Sequence, residues 1–343
     1  MHGVCKGGTN MKYLLSMDGG GTKTAWMLTT YSGSVAARFE TSGCSHPQIG
    51  ISGVCDLVEN GISKLVETAG CRKEQICSAA FGIPCYGEDS AADRKISGYF
   101  HALLPQAVLM LCNDVSLGFA GSLNLSHGIH IVAGTGAIAY GENMEGKSAR
   151  ANGWHTVFSD EGSAYWLGMQ TLSLFAKECD YREDRSYLYD VIHNTLSLHD
   201  EEDMVSYYNN FLSGNREGIA KMQMYLSEAA KKGDANARRL YDMAAYELFI
   251  SIKAIYRKLG FSPETPVRVS YSGGIFKNEG LILDPLQRYL KQLAITLTPP
   301  YLPPVQGGIL LAAQNIYHHE LSELALHLKE QISKEEPHVY HSN

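Results

Sequence analysis

Three consecutive glycines follow the apolar segment 13–15 and could bring the backbone close to a ligand. The run reads Asp18-Gly-Gly-Gly-Thr-Lys-Thr24, so a carboxylate, two hydroxyls and a cation flank residues that lack a Cβ atom. Backbone N–H groups in such a turn can approach an anion, and the flanking groups suit phosphates with their Mg²⁺. The spacing matches neither a P-loop nor a dinucleotide-binding turn. A β-turn without a ligand is the alternative on this local evidence.

Two further stretches carry groups of the same kinds. The segment Gly134–Gly136 (Gly-Thr-Gly) forms a second glycine turn directly after an apolar run, although a plain hairpin turn is the alternative. Asn113 and Asp114 follow the apolar segment 108–112, and α/β folds display catalytic groups at the carboxyl ends of such strands. Asp114 could equally cap the next helix, and one residue can fulfil both functions.

Another group of residues places an aromatic ring and two carboxylates just before a predicted helix. Gly153 and Trp154 are followed by Asp160 and Glu161. The two acids could be no more than partners of the helix dipole. The segment 272–274 (Ser-Gly-Gly) follows a strand and opens a helix, where the backbone can pack against the base or ribose of a nucleotide.

The elements that must position these groups alternate between strands and helices. Short segments between Gly, Ser and Thr turns predict strands, and apolar residues recurring every three or four positions predict helices. A mainly helical insertion of about 180–260 interrupts the second half. Such alternation predicts α/β lobes with mixed sheets, and a cleft between two lobes is a natural ligand site. The predicted strands are 13–17, 25–30, 35–40, 79–83, 108–112, 129–133, 137–140, 147–151, 267–271 and 294–297. The predicted helices outside the insertion are 52–68, 89–104, a short one after 113, 160–177, 276–290 and one from about 306.

The composition is that of a soluble globular protein and excludes several classes. The 343 residues suffice for two domains, 45% are apolar, and 29 basic against 36 acidic residues give a net charge of −7. No basic cluster supports nucleic-acid binding, and no apolar run approaches the ~20 residues of a membrane helix. The eight scattered cysteines predict free thiols in a reducing cytoplasm. Residues 1–10 lack the apolar core of a signal peptide and are interpreted as a disordered leader before Met11.

The ordered set of motifs resembles the sugar kinase/Hsp70/actin ATPase superfamily, and within it the BadF/BadG/BcrA/BcrD ATPase family that includes N-acetylglucosamine kinases. The likeness covers nearly the whole chain from Met11, and its most specific part is the Asp-Glu-Gly-Ser-Ala-Tyr-Trp string at 160–166. It implies two ribonuclease H-like lobes with an ATP cleft between them and a helical insertion in the second lobe. The implied domains are an N-terminal lobe of 11–122, completed by a helix at about 315–335, and a C-terminal lobe of 123–314.

The resemblance also implies a reaction and a role for each motif. ATP phosphorylates a hydroxyl of an amino sugar, and the acceptor that the resemblance favours is O6 of N-acetylglucosamine. Asp18 holds Mg²⁺ through water, and Asp114 is the general base. Lys23 either adds positive charge at the phosphates or is a solvated turn residue. The residues implied for ATP are Asp18, Gly19, Gly20, Gly21, Thr22, Lys23, Thr24, Gly134, Thr135, Gly136, Gly273 and Gly274. The residues implied for the sugar are Ser45, His46, Asn113, Gly153, Trp154, Asp160 and Glu161.

The sugar side departs from the pattern of this family. Ser45 and His46 stand where the acetylglucosamine kinases tend to carry Asn in a loop, and His155 and Ser159 stand where Gly is usual. These changes leave the identity of the amino sugar open, with glucosamine and N-acetylmuramic acid as alternatives. His46 either contacts the sugar or is a loop histidine without a role.

Two functions without a sugar substrate are rivals to the kinase. An activator ATPase would carry an iron–sulfur cluster at a dimer interface, and the cysteines show no paired motif for one. A regulatory ATPase that uses ATP only to switch conformation stays open as an alternative. A homodimer is expected by analogy with the family.

Overall fold

The computed structural model describes residues 11–314, 316 and 321–335, and for residues 332–335 it describes the backbone alone. The leader interpreted at residues 1–10 lies outside these ranges. The chain divides into two compact units, one made of the chain up to Ser126 and from Pro300 onward, the other of His127–Pro299. The return to the first unit therefore begins at Pro300, earlier than the helix at about 315 that was expected to complete it.

The elements follow the predicted alternation. The strands are β1 (Tyr13–Gly19), β2 (Lys23–Thr30), β3 (Val35–Ser42), β4 (Ile76–Gly82), β5 (Val108–Cys112), β6 (Gly128–Ala133), β7 (Ala137–Glu142), β8 (Ser148–Asn152), β9 (Val267–Ser272) and β10 (Ile295–Thr298). The α-helices are α1 (His46–Ala69), α2 (Ser90–Leu103), α3 (Asp114–Ser122), α4 (Ala164–Cys179), α5 (Tyr187–Thr195), α6 (Asp203–Tyr207), α7 (Arg216–Lys231), α8 (Ala235–Lys258), α9 (Glu279–Leu290), α10 (Pro304–Gln314) and α11 (Leu321–Glu335). Short 3₁₀ segments occupy Lys73–Gln75 and Gly274–Lys277, and a π-helical turn occupies Tyr208–Leu212.

The first unit is built on a mixed five-stranded sheet in the order β3-β2-β1-β4-β5. The strands β1, β2 and β3 form an antiparallel meander, and β4 and β5 run parallel to β1. Successive residues of a strand face opposite sides of the sheet, so Leu15 packs with Val54 and Ile62 of α1, while Leu14 packs with Leu310 of α10. The sheet is thus covered on both faces, as expected for an α/β unit.

The second unit repeats this topology on a five-stranded sheet in the order β10-β9-β6-β7-β8. Here β6, β7 and β8 form the antiparallel meander, and β9 and β10 run parallel to β6. The insertion between α4 and β9 contains α5 to α8, and α8 buries an apolar face that includes Leu240, Leu248 and Ile255. The apolar periodicity of the sequence also predicts Met243 for this face, but that prediction is wrong, because Met243 is 40% exposed.

Three helices begin three or more residues away from the predicted start. Helix α1 starts at His46 rather than 52, but Gly50 interrupts it with φ 74°. Helix α4 starts at Ala164 rather than 160, because the Ser163 hydroxyl accepts a hydrogen bond from the Trp166 amide and caps the helix. Helix α9 follows a 3₁₀ turn and starts at Glu279 rather than 276. Among the described residues, no helix combines the length and apolar character that crossing a bilayer would require.

Candidate active site

Asp18 and Asp114 lie at one edge of the first sheet. The parallel pairing aligns Asp18 with Gly82 and Gly82 with Cys112, so the carboxyl ends of β1, β4 and β5 meet there. Gly82 allows the backbone of Asp114 to lie close to β4, since a Cβ at position 82 would lie 3.1 Å from Cα of Asp114. The Asn113 side chain caps α3 by accepting a hydrogen bond from Val115 N at 3.2 Å, and Asp114 opens that helix. Asn113 is thus the N-cap residue, and Asp114, the first residue of the helix, also accepts from Val115 N, at 3.0 Å.

Burial raises the pKa of both carboxyl groups, and the charge of Asp114 adds to the shift at Asp18. Burial raises the pKa of Asp114 to about 6, with a further contribution from Glu88, while backbone N–H donors oppose the shift. Burial and the charge of Asp114 raise the pKa of Asp18 to about 8, against the opposing charge of Lys23. Burial therefore favours a proton on this pair of carboxyl groups, and a cation beside them would favour their ionised forms.

The first glycine turn packs against the segment that leads into α1. The turn is closed by Gly20 N, which donates to Lys23 O at 2.8 Å, and Cys44 N donates to Gly20 O at 3.1 Å. A Cβ on Gly19 would lie 2.7 Å from Gly82 O, so this close packing requires glycine. Gly21 is exposed at the tip of the turn and open to a ligand.

The residues after the glycines point in different directions. Thr22 is exposed, whereas the buried Thr24 donates its hydroxyl hydrogen to Ser42 O at 2.8 Å and so ties β2 to β3. Lys23 forms an exposed ion pair with Glu40 at 2.5 Å. Of this group, Thr22 and Lys23 are exposed at the turn, whereas Thr24 is buried behind it.

Ser45 is the extended residue directly before α1, and His46 is the first residue of that helix. Ser45 is buried and hydrogen-bonded to the Cys85 thiol, and Pro47 follows in the first turn of the helix. The Nδ1 atom of His46 is buried and has no hydrogen-bond partner among the described residues. A buried polar atom without a partner is costly, so this nitrogen suits a ligand hydroxyl.

In the second unit, the structure brings two predicted nucleotide segments together. Gly134 N donates to Gly136 O at 2.9 Å, and the carbonyls of Gly134 and Thr135 accept from the first amides of α4 at 2.8 and 3.3 Å. Gly273 has φ 108°, and a Cβ there would lie 2.9 Å from Gly134 N, so the segment before Gly274 packs directly on the turn. The Gly-Thr-Gly turn thus joins β6 to the start of α4 and to the end of β9.

Asp160 lies before α4 and is held by an arginine that the sequence analysis missed. Its side chain is 7% exposed, and Oδ2 lies 2.8 Å from Nη2 of Arg216, the first residue of α7. Its Oδ1 accepts a hydrogen bond from Ala137 N at 3.4 Å. Burial raises the pKa of Asp160, and the charge of Arg216 opposes this shift. Because Asp160 adopts φ 64° and precedes the capping residue, it does not lie in a first helical turn as the alternative required.

Asn152 organises the loop between β8 and Asp160, although no motif in the sequence indicates this role. Its Oδ1 accepts hydrogen bonds from Gly153 N at 2.8 Å, Ser159 Oγ at 2.6 Å and Asp160 N at 2.8 Å. Its Nδ2 donates to Glu161 O at 3.1 Å. The serine that departs from the family pattern at 159 is therefore part of the loop's hydrogen bonding.

Trp154 projects from the same loop. Its side chain is 67% exposed, and the guanidinium of Arg150 lies 4.8 Å from its ring centroid. Gly153, with φ 68°, provides the left-handed turn before it. His155, the other departure from the family pattern, stacks on Phe158 with ring centroids 5.3 Å apart. The loop thus carries an exposed aromatic ring six residues before Asp160.

Proteins of known function resemble this chain in sequence. The model of the BadF/BadG/BcrA/BcrD ATPase family matches residues 15–312. The chain is 30% identical over 286 residues to the N-acetylmuramic acid/N-acetylglucosamine kinase of Clostridium acetobutylicum, covering 82% of this chain and 90% of that protein. It is 28% identical over 291 residues to the N-acetyl-D-glucosamine kinase of Dictyostelium discoideum, covering 81% and 90% of the two chains.

Solved structures share the fold. A Chromobacterium violaceum protein with the provisional name N-acetylglucosamine kinase matches with a TM-score of 0.70 at 25% identity, over 89% of this chain and 100% of that chain. The ROK family glucokinase of Streptomyces griseus matches with a TM-score of 0.54 at 15% identity, over 89% and 99%, which concerns the fold alone. The predicted fold class, with mixed sheets and flanking helices, is thereby confirmed.

Proposed function

Because the chain belongs to the BadF/BadG/BcrA/BcrD ATPase family, we propose that it is an ATP-dependent kinase that phosphorylates O6 of N-acetylglucosamine. The use of ATP follows from the family, and both curated relatives carry this amino sugar in their names. The observation that carries the proposal is the pair of interacting carboxyl groups, Asp18 and Asp114, at one sheet edge beside an exposed glycine turn. Such a pair suits phosphoryl transfer, in which one carboxylate acts as the base and the other helps to hold the cation that neutralises the phosphates.

In this reaction Asp114 accepts the proton of the sugar hydroxyl. The hydroxyl oxygen forms a bond to the γ-phosphorus, the bond from that phosphorus to the β-phosphate oxygen breaks, and ADP leaves. A pKa of about 6 keeps Asp114 ionised at neutral pH while it remains basic enough to take a proton. A positioned base of this kind typically contributes about 10²–10⁴-fold to the rate.

The glycine turns provide the proposed phosphate contacts. In the first unit, these are the residues from Gly19 to Thr22, with Lys23 nearby and Thr24 as their support. In the second unit, the Gly134–Gly136 turn contacts phosphate and Gly273–Gly274 borders the adenosine. The support is that the tip of the first turn is exposed, and that the two segments of the second unit pack on each other.

The residues at the first turn also fit Mg²⁺ that arrives with ATP. Among the described residues, no cluster of three or more His, Cys, Asp or Glu side chains could hold a metal by itself. Mg²⁺ commonly binds one or two carboxylates together with phosphates and water, and the mutual repulsion of Asp18 and Asp114 calls for a cation. We propose Asp18 as its ligand through water, where the ion neutralises charge on the phosphates when bound.

The sugar contacts come from groups that suit hydroxyls and an acetyl methyl. A carboxylate such as Asp160 accepts hydrogen bonds from ring hydroxyls, and an exposed aromatic face such as that of Trp154 packs on apolar atoms. The buried Nδ1 of His46 gains a partner when a hydroxyl binds. The residues proposed for the sugar are Ser45, His46, Asn113, Gly153, Trp154, Asp160 and Glu161.

A coupled assay for ADP release tests the proposal. The purified protein, with Mg-ATP, is given N-acetylglucosamine, glucosamine or N-acetylmuramic acid, and the product is analysed for the position of the phosphate. We expect N-acetylglucosamine to raise ADP release far above the rate without sugar and to yield the 6-phosphate. ADP release that no sugar stimulates would contradict the kinase and favour a regulatory or activator ATPase.

We also propose a homodimer formed through the helical insertion. Val205, Phe211 and Met224 of that insertion are each at least 60% exposed, and apolar side chains of this kind support an interface. Light scattering on the purified protein is expected to give twice the chain mass, and a monomer mass would contradict the dimer. The free cysteines among the described residues support a reducing location such as the cytoplasm.

A further inference from the structure

We propose that Arg216 is a positioning residue that holds the Asp160 carboxylate in the orientation in which it binds the sugar. The inference deepens the proposed function and rests on it in one respect, namely that Asp160 contacts the sugar. Arg216 belongs to the helical insertion and lies 56 residues beyond Asp160 in the chain. The insertion would thus act on the sugar site through one side chain.

The geometry assigns the two oxygens of Asp160 to different tasks. Oδ2 is fixed by Arg216 Nη2 at 2.8 Å, whereas the contact of Oδ1 with Ala137 N is long, at 3.4 Å. A hydrogen bond of that length is weak, so Oδ1 remains able to accept a hydroxyl. The guanidinium side chain is 46% exposed and that of Asp160 is 7% exposed, so the arginine reaches a buried carboxylate from the solvent side.

Gly136 leaves room for this ion pair. A Cβ at position 136 would lie 2.7 Å from Nη2 of Arg216 and 2.9 Å from Oδ2 of Asp160. At Gly134, in the same turn, a Cβ would meet nothing within 4 Å. The second glycine of the turn is therefore required by the Asp160–Arg216 pair, in addition to any approach of a phosphate.

The charges around Asp160 make Arg216 necessary. Burial raises the pKa of Asp160, Arg216 and His155 lower it, and Glu161 raises it. Glu247 of α8 interacts with Glu161 and adds negative charge to the same surroundings. Without Arg216, the buried carboxyl group would face mainly acidic neighbours and would take up a proton at higher pH. A protonated carboxyl group accepts fewer hydrogen bonds from hydroxyls.

The position of Arg216 in its own helix points the same way. It is the first residue of α7, where the helix dipole disfavours a cation. The pairing with Asp160 offsets this unfavourable placement. A purely solvated arginine would have no such reason to stand at a helix N-terminus.

Three variants of one helix test the inference. Arg216→Gln removes the charge, Arg216→Lys restores a charge without the guanidinium geometry, and Lys221→Gln is the matched control. Lys221 pairs only with Glu217 on the surface of α7 among the contacts described, and its side chain is 67% exposed. The measurements are the KM values for N-acetylglucosamine and ATP and the pH profile of kcat/KM for the sugar between pH 5 and 9.

We expect Arg216→Gln to raise the sugar KM about tenfold or more, since a charge-assisted hydrogen bond is lost. The acidic limb of its kcat/KM profile should move to higher pH, while its KM for ATP should stay within about twofold of the wild-type value. Arg216→Lys should recover part of the sugar affinity. Lys221→Gln should match the wild type. A readout without turnover is the melting temperature, where the deficit of Arg216→Gln should be present at pH 8 and shrink as Asp160 protonates.

The outcomes separate this inference from the proposed function. If Arg216→Gln has the same sugar KM and the same acidic limb as Lys221→Gln, the inference is overturned, but the proposed function is not. An equal rise in both KM values would also overturn it, because the guanidinium would then act on the nucleotide. A wild type without sugar-dependent activity would contradict the proposed function and the inference with it.

Discussion

At the scale of single residues, the basicity of Asp114 comes from its surroundings. Burial disfavours the charged carboxylate, and the nearby negative charge of Glu88 adds to the effect. Hydrogen bonds from the backbone, including Val115 N at 3.0 Å, work in the opposite direction. The resulting pKa of about 6 lies close to the pH at which a general base is most effective.

The pH dependence of turnover follows from this pKa. As the proposed base, Asp114 must be ionised to accept a proton, so kcat/KM for the sugar should fall as the pH drops through about 6. Glu88→Gln removes a charge that raises the pKa, so its acidic limb should lie at lower pH than in the wild type. The control Glu67→Gln removes an exposed charge from α1 and should leave the limb in place. If the acidic limb lies at the same pH in the wild type, Glu88→Gln and Glu67→Gln, then Glu88 does not raise the pKa of the base.

Single residues also show what the sequence could and could not reveal. Asp114 was predictable because a carboxylate after an apolar strand is displayed at a sheet edge. Arg216 was not, because its partner lies 56 residues away and their meeting depends on how the insertion folds. Asn152 left a weak signal, since Asn is one of the few residues that tolerate its φ of 65°.

At the scale of elements, helix α1 packs against the hairpin that carries the first glycine turn. Gly61 makes this packing possible, because a Cβ there would lie 2.6 Å from Cη2 of the buried Trp26 on β2. The Trp26 Nε1 atom donates to Thr41 Oγ1 at 2.9 Å and so links β2 to β3. The helix therefore helps to fix the strands on either side of the turn.

Two glycine-to-alanine changes in neighbouring helices should have opposite effects. Gly61→Ala should lower the free energy of unfolding by about 1–3 kcal/mol, because the added methyl overpacks the Trp26 ring. Gly98→Ala in α2 should raise it by about 0.5–1 kcal/mol, since Gly98 is exposed and has nothing within 4 Å of a Cβ. Urea denaturation of both variants checks the signs. Equal effects would contradict the packing described for Gly61.

Element starts were the part of the fold that periodicity could not locate. The apolar residues of α4 predicted a helix from Asp160, yet the cap at Ser163 places its start at Ala164. Periodicity reports the buried face of a helix, whereas its start depends on capping hydrogen bonds and local φ values. The difference matters here, because it leaves Asp160 outside the helix and free to meet Arg216.

At the scale of the whole molecule, the described segments after residue 300 complete the first unit. Helices α10 and α11 cover the face of the first sheet that carries Leu14 and Met27. On α11, the Gln331 amide accepts from Val35 N at 3.1 Å and donates to Gly33 O at 2.9 Å. The alternation of strands and helices was readable from the sequence, but the point of return was not, because it depends on contacts between distant segments.

Two leucines of α11 test this closure. Leu328 is fully buried in the core beneath the sheet, and Leu326 is 54% exposed on the same helix. Leu328→Ala should cost about 2–5 kcal/mol of unfolding free energy, because it leaves a cavity. Leu326→Ala should change the stability by no more than about 0.5 kcal/mol. Chemical denaturation compares the two, and a Leu328→Ala protein as stable as Leu326→Ala would show that α11 does not seal the unit.

The substitution Asp114→Asn tests most directly whether the protein is a sugar kinase with Asp114 as its base. Asp56→Asn, which removes an exposed carboxylate from α1 of the same unit, is the control. The measurements are kcat with N-acetylglucosamine and the dissociation constant of Mg-ATP. Asp114→Asn should lower kcat by about 10²–10⁴-fold while Mg-ATP still binds, and Asp56→Asn should leave both unchanged. Phosphorylation of the sugar by Asp114→Asn at the rate of the control would contradict the assignment.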